Sequence, residues 1–262
     1  MSLHCRIGGL GILGPGLPGW AASAPILAGA TPWQGGELAL PPPALLPPTE
    51  RRRTSQPVRL ALAAAGEAVA AEPGGTALET IFASSNGDGA ILGSILDALL
   101  ALDGVAISPT QFHNSVHNAP AGYWHIAIGS VAPSLSLGGH DDSFAAGLLA
   151  AATAVATRAK PVLLCAYDMP MPPPLDRVRR TETGFAAALV LRPAAGEGAA
   201  LTLRYRAAPA AWPAPADALD ALAAGNPAAR SLPLLRALAA GRTATIRLPL
   251  LEDAHLELQV AP

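Results

Sequence analysis

The sequence predicts an α/β fold, with a mixed sheet and helices packed on its faces. Strand-like and helix-like segments alternate from residue 1 to residue 206, the order that builds a layered domain. The runs Leu78–Ala83 and Pro161–Asp168 read as buried strands rather than half-exposed ones. Hydrophobic residues make up 51% of the 262 and charged residues 14%, which excludes intrinsic disorder. Aromatics are 4%, so the core must rest on Leu, Val, Ile and a large share of Ala.

Taken in order, Ile7–Gly11 is a short opening strand. Gly and Pro interrupt the stretch from Gly8 to Gly19, so it reads as strand and loop, not the apolar centre of a secretion signal. Pro41–Pro43 and Pro47–Pro48 bracket an extended segment, and Arg51, Arg52 and Arg53 follow. Pro57 opens the helix Val58–Ala71 at its first turn, and Pro73-Gly74-Gly75 stops it. After the strand Leu78–Ala83 and a loop Ser84–Gly89, the helix Ala90–Leu102 carries Leu92, Ile95, Leu96 and Leu99 on one face.

Residues 108–168 then read as a buried helix Ser115–Gly129, a strand Ser134–Leu137, a sharp turn, a second helix and a strand Pro161–Asp168. Strands follow at Gly184–Leu191 and Ala200–Arg206. Residues 207–230 are Ala/Pro-rich with a short helix Ala216–Ala224, and Ser231–Ala240 is a helix ended by Gly241. Thr243–Leu248 and His255–Val260 alternate with period 2, a closing hairpin. One domain over residues 1–262 is expected, with 207–262 a divergent C-terminal helix and hairpin extension.

Net charge is −2 and 16 of the 17 basic residues are Arg, a balance that argues against general nucleic-acid binding. So few charges on a surface this large point to a partner covering some of it. The longest apolar helix, Phe144–Ala156, is too short to span a bilayer, so no integral membrane segment is expected. Cys5 and Cys165 form neither a disulfide framework nor a paired metal spacing, and a reduced, cytoplasmic setting follows.

The turn Gly138-Gly139-His140-Asp141-Asp142-Ser143 aims a helix start at whatever lies above it, where backbone N–H groups favour anions. Enzymes often place a nucleophile there, yet this turn has no Cys and no Gly-x-Ser-x-Gly. Taken as residues alone, Asp141 or Asp142 is a helix cap. A Ser/His/Asp triad from His140–Ser143 is disfavoured, because triads are assembled from distant segments. His113 and His117 stand four apart on one helical face, but no third ligand lies near, so no metal and no other cofactor is expected.

The segments Ile7–Gly14, Leu78–Gly87, Ser108–Gly129, Ser134–Ala151, Pro161–Asp168 and Pro174–Leu191 together resemble the N-terminal half of a β-ketoacyl synthase, a thiolase-fold enzyme. Asn118-Ala119-Pro120-Ala121-Gly122 is similar to the segment lining the synthase dimer interface. Pro174-Leu175-Asp176-Arg177 and Thr183-Gly184-Phe185 are similar to the synthase loop and the strand after it. SPTQFHNSVHNAPAG, DDSFAAGLL and VLLCAYD resemble, more narrowly, the truncated chain length factors of aryl polyene pigment clusters.

The resemblance implies a thiolase-like half-fold and a non-catalytic subunit paired with a complete β-ketoacyl synthase in polyene, polyketide or fatty-acid-type elongation. It puts the synthase's acyl-accepting cysteine on Asp141, a poor acyl acceptor, and the second-half histidines have no counterpart. It implies a partner interface on the helix Ser115–Gly129 and the strand Ser134–Leu137, with Phe112, His113, Asn114, His117, Asn118 and Gly122. An acidic acyl carrier protein is the other expected partner, with Arg51, Arg52 and Arg53 as its docking patch, since Arg pairs well with carboxylate and phosphate. Two other readings stay open: a thioester decarboxylase or hydrolase using His140 and Asp141, and a homodimeric carrier-protein binding module.

Overall fold

The opening strand runs through the interior of the sheet, and its glycines set how closely the first helix layer approaches. The computed structural model describes residues 2–70, 72, 78–101 and 106–262. In chain order the elements are β1 (Ser2–Leu13), α1 (Trp20–Leu27), α2 (Pro48–Arg51), α3 (Gln56–Val69), β2 (Glu79–Ala83), α4 (Gly89–Leu100), α5 (Pro109–Ser115), α6 (Ala119–Ile128) and β3 (Ser134–Leu137). They continue with α7 (Ser143–Arg158), β4 (Val162–Asp168), β5 (Phe185–Pro193), β6 (Ala199–Arg206), α8 (Leu222–Gly225), α9 (Leu232–Ala239), β7 (Ala244–Leu250) and β8 (Ala254–Ala261). The strands form one mixed sheet in the order β3-β2-β4-β5-β1-β6-β8-β7. β2 runs parallel to β3 and β4, and the other pairings are antiparallel. β3 and β7 are the two edges.

Each face of the sheet has its own core. Ile81, Leu164, Ala187, Leu189 and Ile7 pack with Phe144, Leu148 and Val155 of α7, and with Leu232 and Leu235 of α9. On the other face Phe82, Leu163, Cys165, Tyr167 and Val190 pack with Leu60, Ala61 and Ala64 of α3, and with Tyr123 and Trp124 of α6. Every residue of β4 is buried, as a doubly covered strand requires. Burial pushes the Cys5 thiol up to about 12 and the Cys165 thiol higher still, and both are free.

Glycine on β1 is what allows this layer to close. A Cβ on Gly11 would stand 2.1 Å from the Ala64 carbonyl oxygen, so α3 lies directly on the β1 backbone. Gly11→Ala is therefore expected to lower stability by about 1–3 kcal/mol, because a helix backbone must move. A urea midpoint equal to wild type would show that the helix is not seated this closely.

Several sequence expectations shift. The opening strand is longer than Ile7–Gly11. Leu102, Ala71 and the stop Pro73-Gly74-Gly75 lie outside the described residues. The segment 216–224 is helical only from Leu222, and residues 228–231 form a 3-10 turn before α9. The single helix expected over Ser115–Gly129 is two, broken at Val116–Asn118. Val116 is extended at ψ 141 and Pro120 stands in the first turn of α6, so the chain re-enters helix only at Ala119. The helix is also not buried all round: Gly122 and Ile126 are exposed while Tyr123 and Trp124 are enclosed. The apolar stripe of α4 lies at the surface, with Leu92, Leu96 and Leu99 exposed. No described helix is long and apolar enough to cross a membrane.

Candidate functional site

Between β3 and α7 the chain turns through a 3-10 segment at His140–Asp142, with His140 in the left-handed region at φ 52. Non-glycine residues rarely adopt that conformation, and it costs energy that surrounding contacts must hold. Gly138 makes the approach possible, since a Cβ there would lie 3.0 Å from the Ser84 carbonyl oxygen. Ser143 is buried, and its hydroxyl donates to the His140 carbonyl at 2.7 Å and accepts from the Gly139 N–H at 3.0 Å. The turn is thus tied by Ser143, not by the aspartates.

Neither Asp141 nor Asp142 caps α7: no side-chain capping hydrogen bond exists at its start. The expected capping role is corrected by what the carboxylates do instead. Asp141 takes Arg179 Nη1 at 2.5 Å on one oxygen and Arg230 Nη2 at 3.1 Å on the other. Asp142 takes Arg230 Nη1 at 2.8 Å and the Leu251 N–H at 2.9 Å. Burial works against ionisation of Asp141, but Arg179 and Arg230 outweigh it and hold its pKa below the usual range. At Asp142 burial wins and the pKa rises, against the pull of Arg230 and the Leu251 N–H.

These contacts gather three distant segments at one turn. Arg179 lies after β4, Arg230 just before α9, and Leu251 in the β7–β8 turn with φ 62. Arg179 also bonds Asn86 Oδ1 at 3.2 Å and Ser85 Oγ at 2.7 Å, and the Asn86 amide reaches Thr181 Oγ1 at 2.7 Å. Beneath that loop, Asp168 Oδ1 accepts from Ser84 Oγ at 2.8 Å and from the Ser85 and Asn86 N–H groups at 2.9 Å. Its Oδ2 is buried with no partner among the described residues. Arg230 additionally stacks over Trp212 at 5.2 Å.

Burial pushes the Asp168 carboxyl up to about 7, against four groups that favour its charge: the two N–H donors, Ser84 and Arg179. A folded-state pKa above the unfolded value of about 3.9 means the folded state holds an extra proton between those pH values. Asp168 therefore lowers stability as pH rises from about 4 to 7. Asp168→Asn keeps an acceptor for the Ser84 loop and cannot ionise, so it should flatten that slope and gain more at pH 8 than at pH 5. Urea unfolding at both pH values checks this, and equal changes at the two would refute it.

The remaining sequence candidates divide. His140 points to solvent, with Nδ1 3.7 Å from Asp141 Oδ1, while Ser143 faces inward; the two do not meet as a base and a nucleophile. His113 packs edge-on against Tyr123 with ring centres 5.5 Å apart, and His117 Nε2 donates to the Ser84 carbonyl at 3.0 Å. The helix break thus assigns the two histidines to different neighbours. Asn114 is buried, its amide on the Arg53 carbonyl at 2.8 Å. Phe112, Asn118 and Gly122 are exposed, and a Cβ on Gly122 would meet nothing within 4 Å. Arg51 donates inward to the Ala44 and Leu46 carbonyls and Arg53 pairs with Glu50, so among the described residues only Arg52 of that triplet is uncommitted. Sequence reasoning missed Arg179, Arg230 and Asp168. Asp168, an acid closing an otherwise apolar buried strand, was the one with a visible signal.

Residues 28–249 match the family model described as the N-terminal domain of β-ketoacyl synthase. The chain belongs to that family. No curated protein matches it. Among solved structures it is similar to a chain of the ketosynthase (ApeO) in complex with its chain length factor (ApeC) from Xenorhabdus doucetiae. That match has 22% identity and a TM-score of 0.75, covering 98% of this chain and 99% of that one. It is similar also to the ishigamide ketosynthase/chain length factor, at 16% identity and TM-score 0.74 over 98% and 99% of the two chains. A third match, at 11% identity and TM-score 0.73, is to the AntDE:AntF assembly, a type II acyl-carrier protein in complex with its ketosynthase, over 100% and 99%. The fold is the α/β thiolase-like one of ketosynthases. In this member of the family, a carboxylate clamped by two arginines stands at the turn leading into α7.

Proposed function

We propose that this chain is a chain-length-factor-type subunit that pairs with a complete β-ketoacyl synthase and shapes elongation of a polyene or polyketide-type acyl chain without a nucleophile of its own. The observation that carries the reading is Asp141, held by Arg179 and Arg230 where the sequence resemblance puts the synthase's cysteine. A carboxylate so committed is neither a free base nor an acyl acceptor, which also weighs against the hydrolase reading.

The surface supports a partner. Nine of the thirteen exposed large apolar residues found among the described residues lie between Leu92 and Leu135, so the exposure is concentrated on α4, α5, α6 and β3. Successive elements touch, α4 on α5, α5 on α6 and α6 on β3, and β3 is a sheet edge whose backbone groups on one side have no strand partner among the described residues. A patch of this extent favours a heterodimer interface over a free surface. An acyl carrier protein is the second partner, delivering the thioesters that the pair elongates.

Co-expression with a complete ketosynthase from the same genome tests the reading. The two should co-elute, and condensation of malonyl and acyl thioesters should need both. Thioester turnover by this chain alone that is lost in Asp141→Asn would support the hydrolase instead. A homodimer that ignores the synthase would support the binding module.

A further inference from the structure

β6, β8, β7 and the first half of β1 (residues 2–6) are covered on one face only, while α3 covers β1 further along. Their inward residues, Cys5, Leu201, Leu203, Ile246, Leu248, Leu256, Leu258 and Val260, belong to the core shared with α7 and α9. Apart from Ala200, Pro249 and Ala261, their outward residues are polar and strongly biased in charge. Ser2, Arg204, Glu257 and Arg247 stand opposite one another in one row across the four strands, and His4, Thr202, Gln259 and Thr245 in the next. Arg206 lies two residues beyond Arg204 on the same face, and Arg6 lies on β1.

Glu257 is the only acid among these outward residues. It takes Arg206 at 2.7 Å and Arg204 at 3.6 Å, which hold its pKa down, while Arg247 has no partner among the described residues. One carboxylate for four guanidinium groups leaves this face net positive on a chain whose total charge is −2.

We propose that this outward sheet face docks the acidic surface of the acyl carrier protein, an inference that rests on the function proposed above. The spacing fits carboxylates on a helix. Arg204 and Arg247 are two strands apart, about 10 Å, close to the rise of about 10 Å over seven helical residues. Arg204 and Arg206 are separated by about 7 Å along the strand, near the distance of about 6 Å between helix neighbours four apart. Guanidinium forks pair with carboxylates in this way. An anionic membrane is disfavoured, because the face presents no large apolar side chain to insert. Single-stranded nucleic acid is disfavoured, because no Phe, Tyr or Trp lies on the face for bases to stack on.

The test uses the assembled pair and its holo acyl carrier protein, with binding followed by calorimetry at low and high salt. Arg204→Glu with Arg247→Glu should weaken carrier binding by about tenfold or more, mostly at low salt, because repulsion replaces attraction. The milder pair Arg204→Gln with Arg247→Gln should lose less, with melting temperature and co-elution unchanged in both. Arg52→Glu should alter binding less than about twofold, since this proposal puts the contact on the sheet. Unchanged carrier binding in the double charge reversal overturns the proposal. So does loss of affinity for a short RNA or for anionic vesicles while carrier affinity holds. A wild-type pair that fails to co-elute overturns the heterodimer reading instead; the same variants, assayed on this chain alone, then decide the sheet face.

Discussion

Gly122→Leu is expected to abolish co-elution with the ketosynthase while leaving the isolated chain folded. Asn118, Gly122 and Ile126 fall four apart and are all exposed, so they make one outward stripe along α6. Gly122 sits at its centre, with open space where a Cβ would stand. Added bulk costs the free subunit little beyond relieving the helix of a glycine, which itself favours the helix. Against a partner packed on that stripe, the same bulk acts as an overpacked core residue, at about 1–3 kcal/mol. Each 1.4 kcal/mol is about tenfold in affinity, so micromolar association falls out of the range that survives gel filtration. An unchanged melting temperature with loss of the shared peak is the expected pair of results. Co-elution at the wild-type ratio would move the interface off α6.

Arg230→Met should be the most damaging single change away from the cores. Arg230 holds both Asp141 and Asp142 and stacks on Trp212, and its side chain is only 18% exposed. Removing it leaves Asp142 with the Leu251 N–H alone and Asp141 with Arg179. Breaking a buried pair from one side costs about 3–5 kcal/mol, and the partial exposure of these groups argues for about 3. Part of the loss should appear as weakened docking of the β7–β8 turn, since Leu251 in its left-handed conformation relies on Asp142. Arg230→Lys should recover only part, because one ammonium cannot fork to two carboxylates. Urea unfolding within about 0.5 kcal/mol of wild type would show that the cluster is decorative.

Much of this was legible in the residues. The doubly buried β4 and β5, the helix after Pro57 and the closing hairpin are local signals, and each declares itself within its own segment. The break between α5 and α6 was harder to see, because Ser115–Gly129 is apolar enough to read as one helix, although Pro120 suits a first turn and not an interior. The role of Asp141 was not legible at all. An acid before a helix is locally a cap, and only the return of Arg179 and Arg230 from later segments makes it an ionic hub. The same holds for the outward arginines of β6 and β7, whose common row depends on register and not on nearness in sequence.

The place of β1 has a consequence for how the chain is made. Its two partners are β5 and β6, in pairings that join Leu13 to Ala186 and Ser2 to Arg204. Once made, β1 must therefore wait for β5 and β6 before either of its edges is satisfied. Until then it offers an apolar, glycine-interrupted template to any other strand, the state in which nascent chains aggregate. Non-local pairing of this kind also slows folding. Ribosomes stalled shortly after residue 206, before the β7–β8 hairpin is made, should carry protease-sensitive chains, and this chain should depend on chaperones during synthesis.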